Sequence, residues 1–220
     1  MNFSLKDIQS ARERICSYIV ETPLIRLAQL DNVLHCKVYV KAECMQITGA
    51  FKLRGAMNKM LSLTWDECSR GVVAASSGNH GRGLAYAAKM LGVRATIVMP
   101  DNAPAIKVEN IKSLGAEVVL CAPADRMAVA DEICKKHGAT LVSPFDDKLI
   151  MAGQGIVGIE LVEQGPEFDK VVVPVSGGGL ISGVATAVKA LSPATRVCRD
   201  QGCRCRNKLI LASFHAALPS

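Results

Sequence analysis

From Val72 to Leu191 one rhythm repeats: a short aliphatic run, a turn, then a helical pattern. The runs are "VVAA" from Val72, "ATIVMP" from Ala95, "EVVLC" from Glu117, "ATLVSP" from Ala139 and "KVVVPV" from Lys170. Helices are predicted after them: one carrying Leu84, Ala87, Ala88 and Leu91 on one face, one from about Ala105 to Leu114, and one from about Asp125 to His137. A fourth runs through "IVGIELVEQ" to Gly165, and a fifth follows "SGGGL" as far as Leu191. Near-continuous apolar strands alternating with helices are buried on both faces, which a parallel sheet with helices on each side provides. The fold class is therefore α/β. In such folds ligands sit at the carboxyl ends of strands, in the turns that lead into helices. Two turns stand there, "SSGNHGRG" (Ser76 to Gly83) and "SGGGL" (Ser176 to Leu180).

Before this repeat, Ser4 followed by Asp7 forms an approximate capping box, and Leu5, Ile8, Ala11 and Ile15 recur at helical spacing. "KVYVKAE" (Lys37 to Glu43) alternates and reads as a strand. After Arg196 the pattern stops, and a solvated basic tail is expected. That tail holds five basic residues and one acid, so it carries +4 of the net charge of +6. The body has no basic stripe interleaved with aromatics, which make up only 4% of the chain, so no nucleic-acid partner is expected. No apolar run approaches membrane-spanning length, and the first residues, "MNFSLKDIQSARERICSY", lack an apolar signal core. A cytoplasmic protein with no membrane partner is expected. Of nine cysteines, six stand singly, mostly in apolar patterns that suggest buried reduced thiols. Cys198, Cys203 and Cys205 lack zinc-knuckle spacing, so no metal site is expected.

Three stretches carry chemistry. In "VSGGGLISG", Ser176 and Gly177, Gly178 and Gly179 let backbone N–H groups converge at a helix N-terminus, where a phosphate is the natural guest. A tight turn needs one glycine, not three. The literal G-x-G-x-x-G at Gly153, Gly155 and Gly158 follows no strand and lies inside a helical pattern, so close packing explains it better than a dinucleotide. In "SSGNHGRG", Ser76, Ser77, Asn79 and His80 surround Gly78. Helix capping accounts for one such residue but not for the cluster. In "QITGAFKLRGAMNK", Lys52 sits between Phe51 and Leu53 with Gly49 and Gly55 on either side. Partial burial lowers a lysine's pKa from about 10.4 and frees the amine to attack a carbonyl. A lysine, a phosphate cradle and a polar loop at strand ends together suit pyridoxal phosphate.

"TGAFKLRGA", "SSGNHGRGLA" and "SGGGLISG", in this order and spacing, resemble the threonine dehydratase and serine racemase family of fold type II pyridoxal phosphate enzymes. "TPLIRL", "PFDD" and "AGQGIVGIE" also look like segments of that family, and the resemblance runs from about Ile8 to Leu191. It implies the two-domain parallel-sheet fold of tryptophan synthase β-like enzymes. Residues 1–52 and 149–195 would form a partial large cofactor-binding domain and 53–148 a small domain, with 196–220 an atypical basic, Cys-rich tail.

The resemblance also implies roles. Lys52 would hold pyridoxal 5'-phosphate covalently, with Phe51 flanking the ring and Asn79 bonding its phenolic oxygen. Ser176, Gly177, Gly178, Gly179 and Leu180 would cradle the phosphate. Ser76, Ser77, Gly78 and His80 would bind substrate, Ser77 doubling as a second acid/base in racemisation. The implied reaction is dehydration and deamination of L-threonine or L-serine to a 2-oxo acid and ammonia. The alternatives are serine racemisation, or a catalytically silent fragment that binds cofactor or another subunit. Family members commonly dimerise, which implies a homodimer. Ala50 stands where the family has serine, and Arg82 where glutamine is common. Family catalytic domains are longer, so the large domain is expected to be incomplete and turnover weak or absent.

Overall fold

A computed structural model describes residues 3–76 and 78–199, together with the backbone of 208–212. Helix α1 (Leu5–Ile15) starts where the Asp7 carboxylate accepts bonds of 2.9 Å from both the backbone N–H and the hydroxyl of Ser4. It buries Ile8, Ala11 and Ile15, the periodic apolar positions. Strand β1 (Leu24–Arg26), the one-turn helix α2 (Asp31–Leu34) and strand β2 (Lys37–Lys41) follow. A 3-10 turn at Glu43–Met45 leads to α3 (Lys52–Met60) and α4 (Trp65–Arg70). The repeat then runs β3 (Val72–Ala75), α5 (Asn79–Leu91), β4 (Ala95–Pro100), α6 (Ala105–Lys112), β5 (Glu117–Cys121), α7 (Arg126–His137) and β6 (Thr140–Leu141). Helix α8 (Lys148–Gln164), β7 (Lys170–Val173), α9 (Gly179–Leu191), β8 (Arg196–Arg199) and β9 (Lys208–Ala212) complete the described chain.

The strands form two sheets. One has the order β5-β4-β3-β6 and is parallel throughout, with Val73 opposite both Thr96 and Leu141. The other has the order β1-β2-β9-β7-β8, with β1 antiparallel to β2 and the remaining pairs parallel. Strand β6 is shorter than "ATLVSP" suggests, because Pro144 has no N–H to extend a ladder. The expected solvated tail is corrected by two strands. Arg196–Arg199 pairs with β7, and Lys208–Ala212 lies between β2 and β7. Open backbone groups along β2 and β7 reward any apolar segment that reaches them, and "KLILA" is such a segment. Exposed Arg196 and Arg199 place charge on the edge strand, which discourages further pairing.

Helix α8 is wedged among α1, α3 and α9, and its glycines explain how. A methyl group at Gly153 would come within 2.5 Å of the Arg54 carbonyl oxygen. One at Gly155 would meet Ile8 at 2.7 Å, and one at Gly158 would meet the Val184 carbonyl at 2.9 Å. Gly183 on α9 faces Gly155 across the same crossing. The G-x-G-x-x-G pattern is thus a packing surface. Around it lies the largest apolar cluster, which joins Ile8 and Ile15 to Leu53, Met57, Leu84, Ile97 and Ile156.

Charge is also buried here. Arg54 of α3 is 0% exposed and forks to two carboxylates at once. Its Nε and Nη2 donate to Glu43 at 2.9 and 2.8 Å, while Nη1 and Nη2 donate to Glu160 at 2.6 and 2.9 Å. Lys41 of β2, equally buried, pairs with Glu160 at 2.5 Å and donates to the Gln164 amide oxygen at 2.9 Å. Two cations and two anions therefore neutralise one another inside the fold. Burial opposes the charge on Arg54, but Glu43 and Glu160 more than offset it and raise its pKa.

The thiols depart from expectation. Cys36 is buried, Cys16 and Cys44 are exposed, and Cys68, Cys121 and Cys134 are half-buried. Cys16 and Cys44 sit at helix-end and 3-10 positions that face out, so their apolar neighbours misled the reading. Among the described residues no helix is long and apolar enough to cross a membrane.

The α8–α9 crossing is sensitive to a single carbon. Gly183→Ala should lower unfolding stability by about 1–3 kcal/mol, read as a reduced urea midpoint at an unchanged slope.

Candidate active site

Lys52 opens helix α3, and its side chain enters a cavity of about 580 Å³. The cavity lies at the carboxyl ends of β3, β6 and β7, where the topology leaves a crevice. The Lys52 amine donates to the Pro144 carbonyl oxygen at 2.5 Å and lies 5.4 Å from the centre of the Phe51 ring. Burial without a counter-charge pushes its pKa down to about 8. At pH 7 roughly a tenth of such a lysine is free amine, against roughly four in ten thousand for a solvated one.

Opposite Lys52 stands the N-terminus of α9. Gly178 is its N-cap, with φ at +87°, a conformation that strongly favours glycine. No side chain caps this helix, so its first N–H groups are left for an anion. The three glycines have different reasons. At Gly177 a side chain would collide with the Phe145 ring, and at Gly179 a methyl would lie 3.0 Å from the Phe145 Cα. The segment Pro144–Phe145 therefore touches both halves of the site, holding the lysine through one carbonyl and packing an aromatic ring on the glycine turn. Ser176 lines the cavity rim, and Leu180 reaches it while sitting in the apolar cluster with Phe51.

The loop before α5 supplies the third wall. Ser76 lines the cavity, but its hydroxyl accepts bonds from the N–H groups of Gly78, the N-cap of α5, and of Gly81 at 3.3 and 3.2 Å, which ties down the turn into that helix. Asn79 and His80, the first two residues of α5, also line the cavity. His80 Nε2 is 3.0 Å from the Val142 carbonyl. Burial, only partly opposed by that bond, pushes its pKa down to about 4. The ring is neutral at pH 7, and since a carbonyl only accepts, Nε2 carries the proton. Gly78 is exposed and outside the lining. Ser77 lies outside the described residues.

The described residues of the sequence-derived set are thus brought together around one cavity, apart from Gly78. Pro144 and Phe145 were missed as site residues. Their position just past β6 was the available signal, since the rule that singled out the other two turns applies there too. Among the described residues no group of three or more His, Cys, Asp or Glu is arranged to hold a metal. The donors fit a flat, phosphate-bearing aldehyde. Lys52 offers an amine poised to lose its proton, the α9 N-terminus offers N–H groups, and Phe51 and Asn79 offer an apolar wall and an amide.

Comparison with known proteins agrees with that chemistry. Residues 15–208 match the pyridoxal-phosphate dependent enzyme family. Serine racemase of Oryza sativa subsp. indica is 45% identical over 195 residues, covering 88% of this chain and 58% of the relative. The catabolic L-threonine dehydratase of Staphylococcus aureus strain USA300 is 44% identical over 197 residues, covering 88% and 57%. Among solved structures, maize serine racemase superposes with a TM-score of 0.86 at 43% identity, covering 89% of this chain and 60% of that one. A T.th. threonine deaminase gives a TM-score of 0.84 at 45% identity, covering 89% and 64%. The chain spans less than two thirds of the length of each of these relatives.

Gly177→Val should displace Phe145 and abolish the visible absorbance gained on adding pyridoxal phosphate, while far-ultraviolet dichroism stays that of the wild type. A family match over most of the chain, on a parallel-sheet fold whose crevice pairs a half-buried lysine with an open helix N-terminus, means that this protein belongs to the pyridoxal-phosphate dependent enzymes of fold type II.

Proposed function

We propose that the protein, loaded with pyridoxal 5'-phosphate, removes the α-proton and β-hydroxyl of L-threonine or L-serine and releases an enamine. Water then converts that enamine to a 2-oxo acid and ammonia. The observation that carries this reading is the Lys52 amine, desolvated and bonded to Pro144 at one side of a cavity whose other side is the α9 N-terminus.

When bound, the cofactor supplies the electron sink that makes a proton on Cα acidic. The remaining work falls to the chain. N–H groups of Gly179 and Leu180 would hold the phosphate and fix the ring's position in the crevice. Phe51 would exclude water from one face. Lys52 would hold the cofactor and then, once displaced by the amino group of the substrate, take the α-proton on Nζ. A pKa near 8 suits both tasks, because the group exchanges protons readily near neutral pH. Neutral His80 adds no positive charge that would drive Lys52 further toward the free amine or compete for a carboxylate.

Serine racemisation is a second reading, supported by relatives of that name at the same level of identity. It needs an acid on the face opposite Lys52, the role carried over to Ser77. The two are separated by product. The full chain with cofactor and L-threonine should yield 2-oxobutanoate slowly, and Lys52→Ala should abolish it. D-Serine from L-serine without any 2-oxo acid would favour racemisation. Borohydride trapping of cofactor on Lys52 with neither product would overturn both.

A further inference from the structure

We propose that Arg54, with Gly83 and Gly153, is a positioning device that cages the first turn of α3 and so holds the Lys52 amine in its half-buried seat against Pro144. Successive residues on an α-helix turn by about 100°, so Arg54 points away from the side Lys52 uses. Lys52 faces the cavity and the Pro144 carbonyl, while Arg54 reaches backward to Glu43 and Glu160. A lysine cannot reproduce that double fork, because its ammonium lacks the planar set of five N–H donors.

Two glycines close the cage. On α5, a methyl at Gly83 would stand 3.2 Å from the Leu53 nitrogen and 3.3 Å from the Lys52 carbonyl carbon. On α8, a methyl at Gly153 would stand 2.5 Å from the Arg54 carbonyl oxygen and 2.6 Å from the Gly55 Cα. The backbone of residues 52–55 is thus gripped by two helices and, through Arg54, by both carboxylates. The buried charged groups on the elements around it, Lys41, Glu43 and Glu160, are paired with one another or with Arg54. The titratable group that senses Lys52 is His80, which is neutral above about pH 4 and does not titrate near neutrality.

The inference rests on Lys52 being the reacting amine, and its test reads Lys52 in the cofactor-free chain. Failure here is therefore distinguishable from failure of the proposed reaction. Limiting acetic anhydride, followed by mass spectrometry of each lysine across a pH series from neutral to strongly basic, gives the midpoint at which Lys52 becomes nucleophilic. In the wild type that midpoint should lie near 8. Arg54→Lys and Gly83→Ala should raise it by about one unit, which is about a tenfold lower labelling rate at pH 7. Val73→Ala, in the β3 cluster with Val98 and Ala130, serves as a destabilised control that should leave the midpoint alone. If Arg54→Lys does not fold, Gly83→Ala decides the matter. An unchanged Lys52 midpoint in every folded variant, with stability lowered as in Val73→Ala, would reduce Arg54 to a structural residue and overturn the proposal.

Discussion

Four charges in the interior constrain everything near the lysine. Arg54, Lys41, Glu43 and Glu160 come from α3, β2, the 3-10 turn and α8, and each is at most 2% exposed. Transferring them from water is costly, and the cost is offset only when every partner is in place. Removing one typically costs about 3–5 kcal/mol, since an uncompensated charge stays behind. Geometry follows from that penalty. A bidentate fork tolerates little rotation, so the elements that supply these charges meet in one arrangement rather than in several of similar energy.

The site depends on this arrangement because it draws on distant parts of the chain. Lys52 arrives on α3, the glycine turn on α9, and Pro144 and Phe145 on the segment leaving the four-stranded sheet. Helix α8 brings them close by having almost no side-chain volume at its crossings, where Gly153 meets α3 and Gly155 and Gly158 meet α9. Close approach and buried charge act on the same helix, because Glu160 lies two residues beyond Gly158. The apolar cluster around Ile8, Leu53 and Ile156 then fills the remaining space.

Much of this was legible along the chain. Aliphatic runs separated by helical periods fix an α/β layer, and the rule about strand ends singles out Ser76–Gly83 and Ser176–Leu180. The cysteines were less legible, since an apolar neighbourhood in sequence does not say which way a thiol points. Strands β8 and β9 were also hidden. Strand β9 pairs with β2, which lies far away along the chain, whereas β8 continues the repeat onto the preceding strand β7 but in a run broken by two arginines. The glycines of "SGGGL" were read as room for an anion. Two of them are also required by Phe145, a contact no local pattern announces.

Periodicity and backbone freedom are local properties, so the layer architecture, the amine and the glycine turn could all be read from the order of residues. How dry Lys52 is, which carbonyl accepts its hydrogen bond, and why Arg54 can keep its charge out of water two residues later could not. These are properties of what surrounds a side chain. Desolvation and paired charge arise only when Glu43, Pro144 and Glu160, far apart along the chain, close around the first turn of α3.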